Sequence, residues 1–504
     1  MSQRNARSHA GHTTAPVNSA TSLHGRVRSA MSLALALLIL CSGLPGTLRA
    51  SEEWQTASGN SLTVLMQPNS RLAASSFLDA YGAFAEIAIE EISLLLDQPG
   101  PSRPIILQVF SEGHVYDAAV SDLGRVEIED IIAVADPARS TVLIPLSKFI
   151  ALVPFDAQNQ LRHAISHILV HQATEGAVPR GFDEGFARYV ERPLQPKLAR
   201  IASIVQGADL DGTLISWSNM NRATPLDDHE LIESQAYAVL SFLLSNHGLA
   251  RFQSFLEELA AAETWRDAMN VAYAPATSDS LERQWRDEIP LWAQGDWKWN
   301  LVAGFDLDPA RDLLARGNYN GAATALLVSE QLLSEIDDPD RQAEVTELKN
   351  LARIGGLAEA KMLEAQQALE NFAYDRASAA VEQAAEQYDQ LPPDLRPTSL
   401  IEQYQQMAEV GLTSTEQLEI ARIQSGAWED YPDARASALN AGTGFASLGD
   451  PENHQESTTL IEQMDATQLQ LVLLLGALTL LTIAWLALWL WYRQPPALKW
   501  DGQE

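Results

Sequence analysis

The sequence predicts an α+β domain, then an all-α region of helical hairpins, then one C-terminal transmembrane helix. Three observations carry this. Between residues 51 and 150, short apolar runs rich in β-branched residues alternate with longer stretches of helical spacing. From about Asp306 the composition shifts to Ala, Leu, Glu and Gln at helical period. Leu471 to Trp491 is 21 residues without one charge, about 31 Å of helix, which spans a bilayer core.

The first 50 residues read as a secretory signal. Arg4, Arg7, Arg26 and Arg28 precede the apolar run Met31–Leu40, and a small residue, Ala50, marks the cut. A start at Met31 and an uncleaved anchor are the alternatives. A lipoprotein through Cys41 is disfavoured, because Leu40 stands where a small residue is needed. Cys41 is also the only cysteine, so no intrachain disulfide can form.

Ser61–Met66 and Pro104–Phe110 read as strands, and Leu72–Leu96 between them as a helix stopped by Gln98-Pro99-Gly100-Pro101. Ile131–Ala135 and Thr141–Leu146 flank the turn sequence Asp136-Pro137-Ala138-Arg139-Ser140 and predict a hairpin. The next helix is predicted to start at Asp156 as N-cap. Its core stripe is Leu161, Ile165, Ile168 and Leu169, so the opposite face is expected to line a cleft.

That face carries His163 and His167. Residues four apart on a helix lie about 40° apart around the axis and about 6 Å along it. Both imidazoles therefore reach one zinc ion. His171 extends the row, but lies about 12 Å along the axis from His163 and reads as structural or supporting. Gly176 and Pro179 end the helix. On the helix that follows, Glu184 is placed to complete a His₂Glu metal site.

Asp183-Glu184-Gly185-Phe186-Ala187-Arg188-Tyr189 resembles the second half of the motif of gluzincin metallopeptidases, and more closely of bacterial peptidase MA-like proteins. The first half of that motif is H-E-x-x-H, and here it departs: Ala164 stands where the family has its general base. The resemblance implies a zincin-like domain over residues 51–300. It implies a small sheet whose edge strand lies above the metal helix and, in active members, holds a peptide by strand addition. It implies zinc on His163, His167 and Glu184, and a hydrolase that has lost its base. A missing base costs on the order of 10²–10⁴ in rate. Glu175 and Asp183 are the nearby carboxylates, and neither occupies the helical position of the base. The segment Gln235-Ala236-Tyr237-Ala238 is similar to the C-terminal half of such domains, with Tyr237 read as a core aromatic.

Residues 301–436 are expected to form helical hairpins. Leu313–Ala323 has an echo in Ala368–Ser378 that pairs Tyr319 with Tyr374 and Ala322 with Ala377. This packing looks tetratricopeptide-like. The 55-residue offset exceeds the usual repeat, so a further helix is expected within each repeat. Residues 437–468, rich in Gly, Ser, Asp and Glu, read as a linker. The transmembrane helix covers 469–492, with Trp485, Trp489, Trp491 and Tyr492 as an aromatic belt at its end. Arg493 and Lys499 follow it, and Glu456, Glu462 and Asp465 precede it. The positive-inside rule then puts the tail 493–504 in the cytoplasm and the ectodomain outside, a single-pass type I arrangement.

The net charge of −32 disfavours nucleic acid, which needs clustered Lys and Arg. Three functions remain. The first is a metallopeptidase-like protein, catalytically impaired, that keeps a zinc- and peptide-binding cleft. The second is an active hydrolase with an unusual base. The third is a scaffold that binds a partner protein through its helical repeats.

Overall fold

The computed structural model describes residues 54–68, 70–123, 132–222 and 229–493. The signal segment 1–50 and the tail beyond 493 lie outside the described residues. The chain divides into two compact units. The first takes residues up to Glu191 with Ile201–His247 and Arg251–Pro290. The second takes Arg192–Arg200, Gly248–Ala250 and the chain from Leu291 onward.

The first unit is α+β. Its strands are β1 (Gln55–Ser58), β2 (Leu62–Met66), β3 (Ile105–Phe110), β4 (Val134–Asp136) and β5 (Thr141–Pro145). They form one mixed sheet in the order β1-β2-β3-β5-β4. The pairs β2–β3 and β3–β5 are parallel, and both edge pairs are antiparallel. β2 alternates buried and half-buried residues, as a strand covered on one face does, whereas β5 is buried throughout. The hairpin expected around Asp136–Ser140 is present as β4–β5. Helix α1 (Ala74–Leu95) covers the sheet, and α2 (Gly113–Asp122) follows β3.

Helix α3 (Pro154–Ala173) carries the two histidines. It starts two residues before the Asp156 cap read from the sequence. Val153 is its N-cap and uses no side chain, because Pro154 at the first helical position has no N–H to satisfy and its φ is preset. Asp156 sits in the first turn, where its charge suits the helix dipole. The helix is also more enclosed than its stripe predicts: every residue from Leu161 to Val170 is buried. Gln160 ties α3 to the sheet edge, accepting hydrogen bonds from Ile132 N (2.9 Å) and Ala133 N (3.2 Å) just before β4.

Gly176 closes α3 with a φ of +82°, and His171 packs there. A Cβ on Gly176 would lie 2.7 Å from His171 Cε1. Helix α4 (Arg180–Tyr189) and helix α5 (His229–His247) complete the part of this unit that matters below.

In the second unit, helices α6 (Tyr319–Glu335) and α7 (Pro339–Glu370) form one hairpin, and α8 (Tyr374–Tyr388) and α9 (Thr398–Gln424) the next. The sequence echo is a structural repeat. The Tyr319 ring lies where a Cβ on Gly355 of α7 would be, and the Tyr374 ring occupies the same place at Gly411 of α9. The Tyr319 hydroxyl donates to Leu395 O at 2.6 Å, and the Tyr374 hydroxyl to Asp450 Oδ2 at 2.9 Å. No further helix intervenes, contrary to the sequence reading. The long offset is absorbed by α7, which runs for 32 residues.

Residues 437–468, read as a linker, are helical: they belong to α10 (Tyr431–Leu448) and α11 (Pro451–Tyr492). The contacts are made by small residues. Ala434, Ala438, Ala441 and Gly442 of α10 are buried, and Ala434 and Ala438 cluster with Met464 of α11. α11 continues without a break through the apolar stretch, and is long and apolar enough to cross a membrane.

Candidate metal centre

α3 and α4 bring His163, His167 and Glu184 together. His163 Nε2 lies 3.2 Å from His167 Nε2. Glu184 Oε1 lies 3.4 Å from His163 Nε2, and Glu184 Oε2 lies 3.8 Å from His167 Nε2. Donors about 2.05 Å from a tetrahedral zinc stand roughly 3.3 Å from one another. The two ring nitrogens and the Glu184 carboxylate are thus spaced as donors to one ion. All three residues are enclosed, with His163 and His167 4% and 5% exposed.

The other ring nitrogens face carboxylates. His163 Nδ1 is 3.1 Å from Glu191 Oε1, and His167 Nδ1 is 2.9 Å from Asp183 Oδ2. Carboxylates there favour the proton on Nδ1 of each ring, the arrangement common to metal-bound histidines. Two Nε2 lone pairs then face each other across 3.2 Å, and Glu184 Oε1 accepts no hydrogen bond although buried. A cation between these atoms satisfies all three.

Behind these three residues runs a chain of charges that sequence reasoning did not find. Arg188 Nη1 donates to Glu191 Oε1 at 3.0 Å, and Arg188 Nη2 pairs with Glu233 of α5. His229 Nδ1 lies 2.6 Å from Glu233 Oε1. Gly185 makes this possible. A Cβ there would meet Ala236 O at 2.6 Å, so only glycine lets α5 come close enough to offer Glu233. Arg188 and Gly185 sit inside the motif and could have been singled out there. Glu191, Glu233 and His229 carry no local signal.

The electrostatics follow from burial and these neighbours. Burial lowers the His163 pKa, against the pull of Glu191 and Glu184, and so keeps the ring neutral and able to donate a lone pair. Burial would raise the Glu184 pKa, but His163, His167, Arg188 and His229 outweigh it and bring it down to about 2. Burial pushes Glu233 up to about 8, with Glu184 and Glu191 adding repulsion and Arg188 opposing. Burial alone would lower the Arg188 pKa, yet Glu191, Glu233 and Glu184 raise it. Glu184, Glu191 and Glu233 thus crowd one guanidinium, that of Arg188. A divalent cation neutralises that set.

Residues 137–290 match the model of the Peptidase MA superfamily. The chain carries a gluzincin-type, peptidase MA-like domain. The match begins at the turn after β4 and ends in the helix Ser278–Trp292, so the helical repeats lie outside it. No curated protein and no solved structure matches the chain. Members of this superfamily are typically zinc-dependent, and the donor set of the peptidase MA-like domain fits that metal.

The remaining candidates fall elsewhere. Glu175 is exposed on the turn after α3, at a φ of +52°. Asp183 is committed to His167. Tyr237 is fully buried against Tyr189, with ring centroids 5.8 Å apart.

Glu191 tests how far the outer carboxylates matter. Glu191→Gln keeps the shape but removes the charge behind His163. Zinc affinity, measured by competition with a chelator, is expected to fall about 10–100-fold. An unchanged affinity would show that His163 is oriented by packing alone.

Proposed function

We propose that this is a membrane-anchored, extracytoplasmic metallopeptidase-like protein that holds one zinc ion on His163, His167 and Glu184 and cleaves peptides negligibly. One observation carries the reading: a carboxylate-backed group of candidate ligands is in place, while the next position on the helix after His163, Ala164, has no ionisable group and is fully buried. Bound there, zinc would act as a Lewis acid and lower the pKa of a water in its fourth position. The chain's own residues would orient the ion but offer nothing at position 164 to take the proton. The ligand is a peptide or protein rather than a nucleic acid, in keeping with the acidic composition. The apolar part of α11 and the charge asymmetry around it support a single span with the ectodomain outside.

Metal content of the detergent-solubilised full chain tests the first part. Zinc-replete protein should carry roughly one zinc per chain, and the His163→Ala/His167→Ala double variant next to none. A content near zero in the unmodified protein would leave the centre a relict and favour the scaffold reading.

A further inference from the structure

The turn between α9 and α10 exposes Trp428 at 70%, as α11 exposes Leu469 and Val472 at 60% each. Large apolar side chains this open call for a partner when they cluster. The place of the turn along α11 tells which. A Cβ on Gly442 of α10 would lie 3.3 Å from Ser457 Cβ of α11. Arg435 Nε of α10 pairs with Asp465 Oδ1 of α11 at 3.2 Å. Both contacts belong to one antiparallel register. Continued to the start of α10, it sets Tyr431 beside residues 468–469. Trp428 precedes Tyr431 and so stands within about one helical turn, ~5 Å, of the level of Leu471. That is where the apolar run begins. The headgroup layer on each side of a bilayer is about as thick, and indole rings concentrate there.

We propose that the α9–α10 turn is a second membrane contact, with Trp428 seated in the headgroup layer of the outer leaflet beside the span. The inference rests on the reading of α11 as a membrane span. Glu429 and Asp430 flank the indole, and their charge selects a zwitterionic surface over an anionic one. The contact therefore holds by apolar and interfacial burial, not by cation attraction.

Single-cysteine labelling tests this on the full chain with Cys41→Ser, reconstituted in phosphatidylcholine vesicles. A fluorophore is placed in turn by Trp428→Cys, Leu480→Cys and Glu452→Cys. The label at 428 should be quenched more by a headgroup nitroxide lipid than by an acyl-chain one. The label at 480 should show the reverse. The label at 452, about 28 Å further from Leu471 along α11, should respond to neither. Quenching at 480 without quenching at 428 overturns the proposal and leaves the span intact. No quenching at 480 overturns both. Crosslinking of two chains through 428, with the label shielded from lipid nitroxides, would make the turn a self-association surface and overturn the lipid assignment. Quenching at 428 that grows when anionic lipid is added would overturn the charge argument.

Discussion

Ala164→Glu is expected to raise zinc-dependent peptide cleavage by roughly 10²-fold or more, because it returns a general base to a centre whose proposed ligands are all in place. The substitution touches no ligand. It does add a charged side chain at a fully buried position, and overpacking there costs about 1–3 kcal/mol. The assay is therefore run well below the unfolding temperature of the variant. Cleavage must disappear when His163→Ala is added, which ties it to the metal. Two results would count against the reading. Strong zinc-dependent cleavage by the unmodified chain would mean that another residue supplies the base, with Asp183→Asn and Glu175→Gln as the substitutions to try. No gain from Ala164→Glu with zinc bound would mean that peptides no longer reach the centre. β4 lends weight to that second outcome, since it is three residues long and wholly buried.

Arg162→Met should destabilise the first unit by about 3–5 kcal/mol, the usual result of removing one partner of a buried ion pair. Arg162 Nη1 meets Glu91 Oε2 of α1 at 2.6 Å, and Arg162 Nε donates to Val190 O at 2.6 Å. Both charged residues are almost completely enclosed. The second bond holds the residue just before Glu191, so the same side chain that ties α3 to α1 also fixes the carboxylate behind His163. Urea unfolding followed together with zinc release should show both shift to lower urea. Adding Glu91→Leu should return a large part of the stability, since a buried pair replaced by apolar groups is often neutral. Failure of the double variant to recover would place the cost in the Val190 bond instead.

The parts of this protein that are legible in the sequence are the local ones. Strands β2 to β5, α1 and the helix of His163 and His167 announce themselves by period and by turn residues, whereas the four-residue β1 gives no such signal. The ligand set follows from two short stretches separated by one loop. What escapes is of two kinds. Glu191, Glu233 and His229 join the centre only because α4 and α5 cross closely at Gly185, a tertiary event with no spacing rule behind it. Residues 437–468 look like a linker because their helices meet through Ala, Gly and Ser. Such surfaces pack tightly without the large apolar stripe by which amphipathic helices are recognised. The start of α3 shows the same lesson on a smaller scale, where Pro154 does without the cap that Asp156 seemed to offer.

As the span proposed above, the unbroken α11 is a screw as well as a tether. A flexible tether passes neither torque nor height from the membrane to what it carries. A continuous helix of 42 residues passes both. Each residue inserted between Met464 and Leu471 turns the repeats by about 100° about the helix axis and lifts them about 1.5 Å. Roughly four insertions bring the original face back into phase. Any neighbour that meets the repeats from one side of the membrane plane would thus feel the length of this segment as a periodic variable rather than a gradual one.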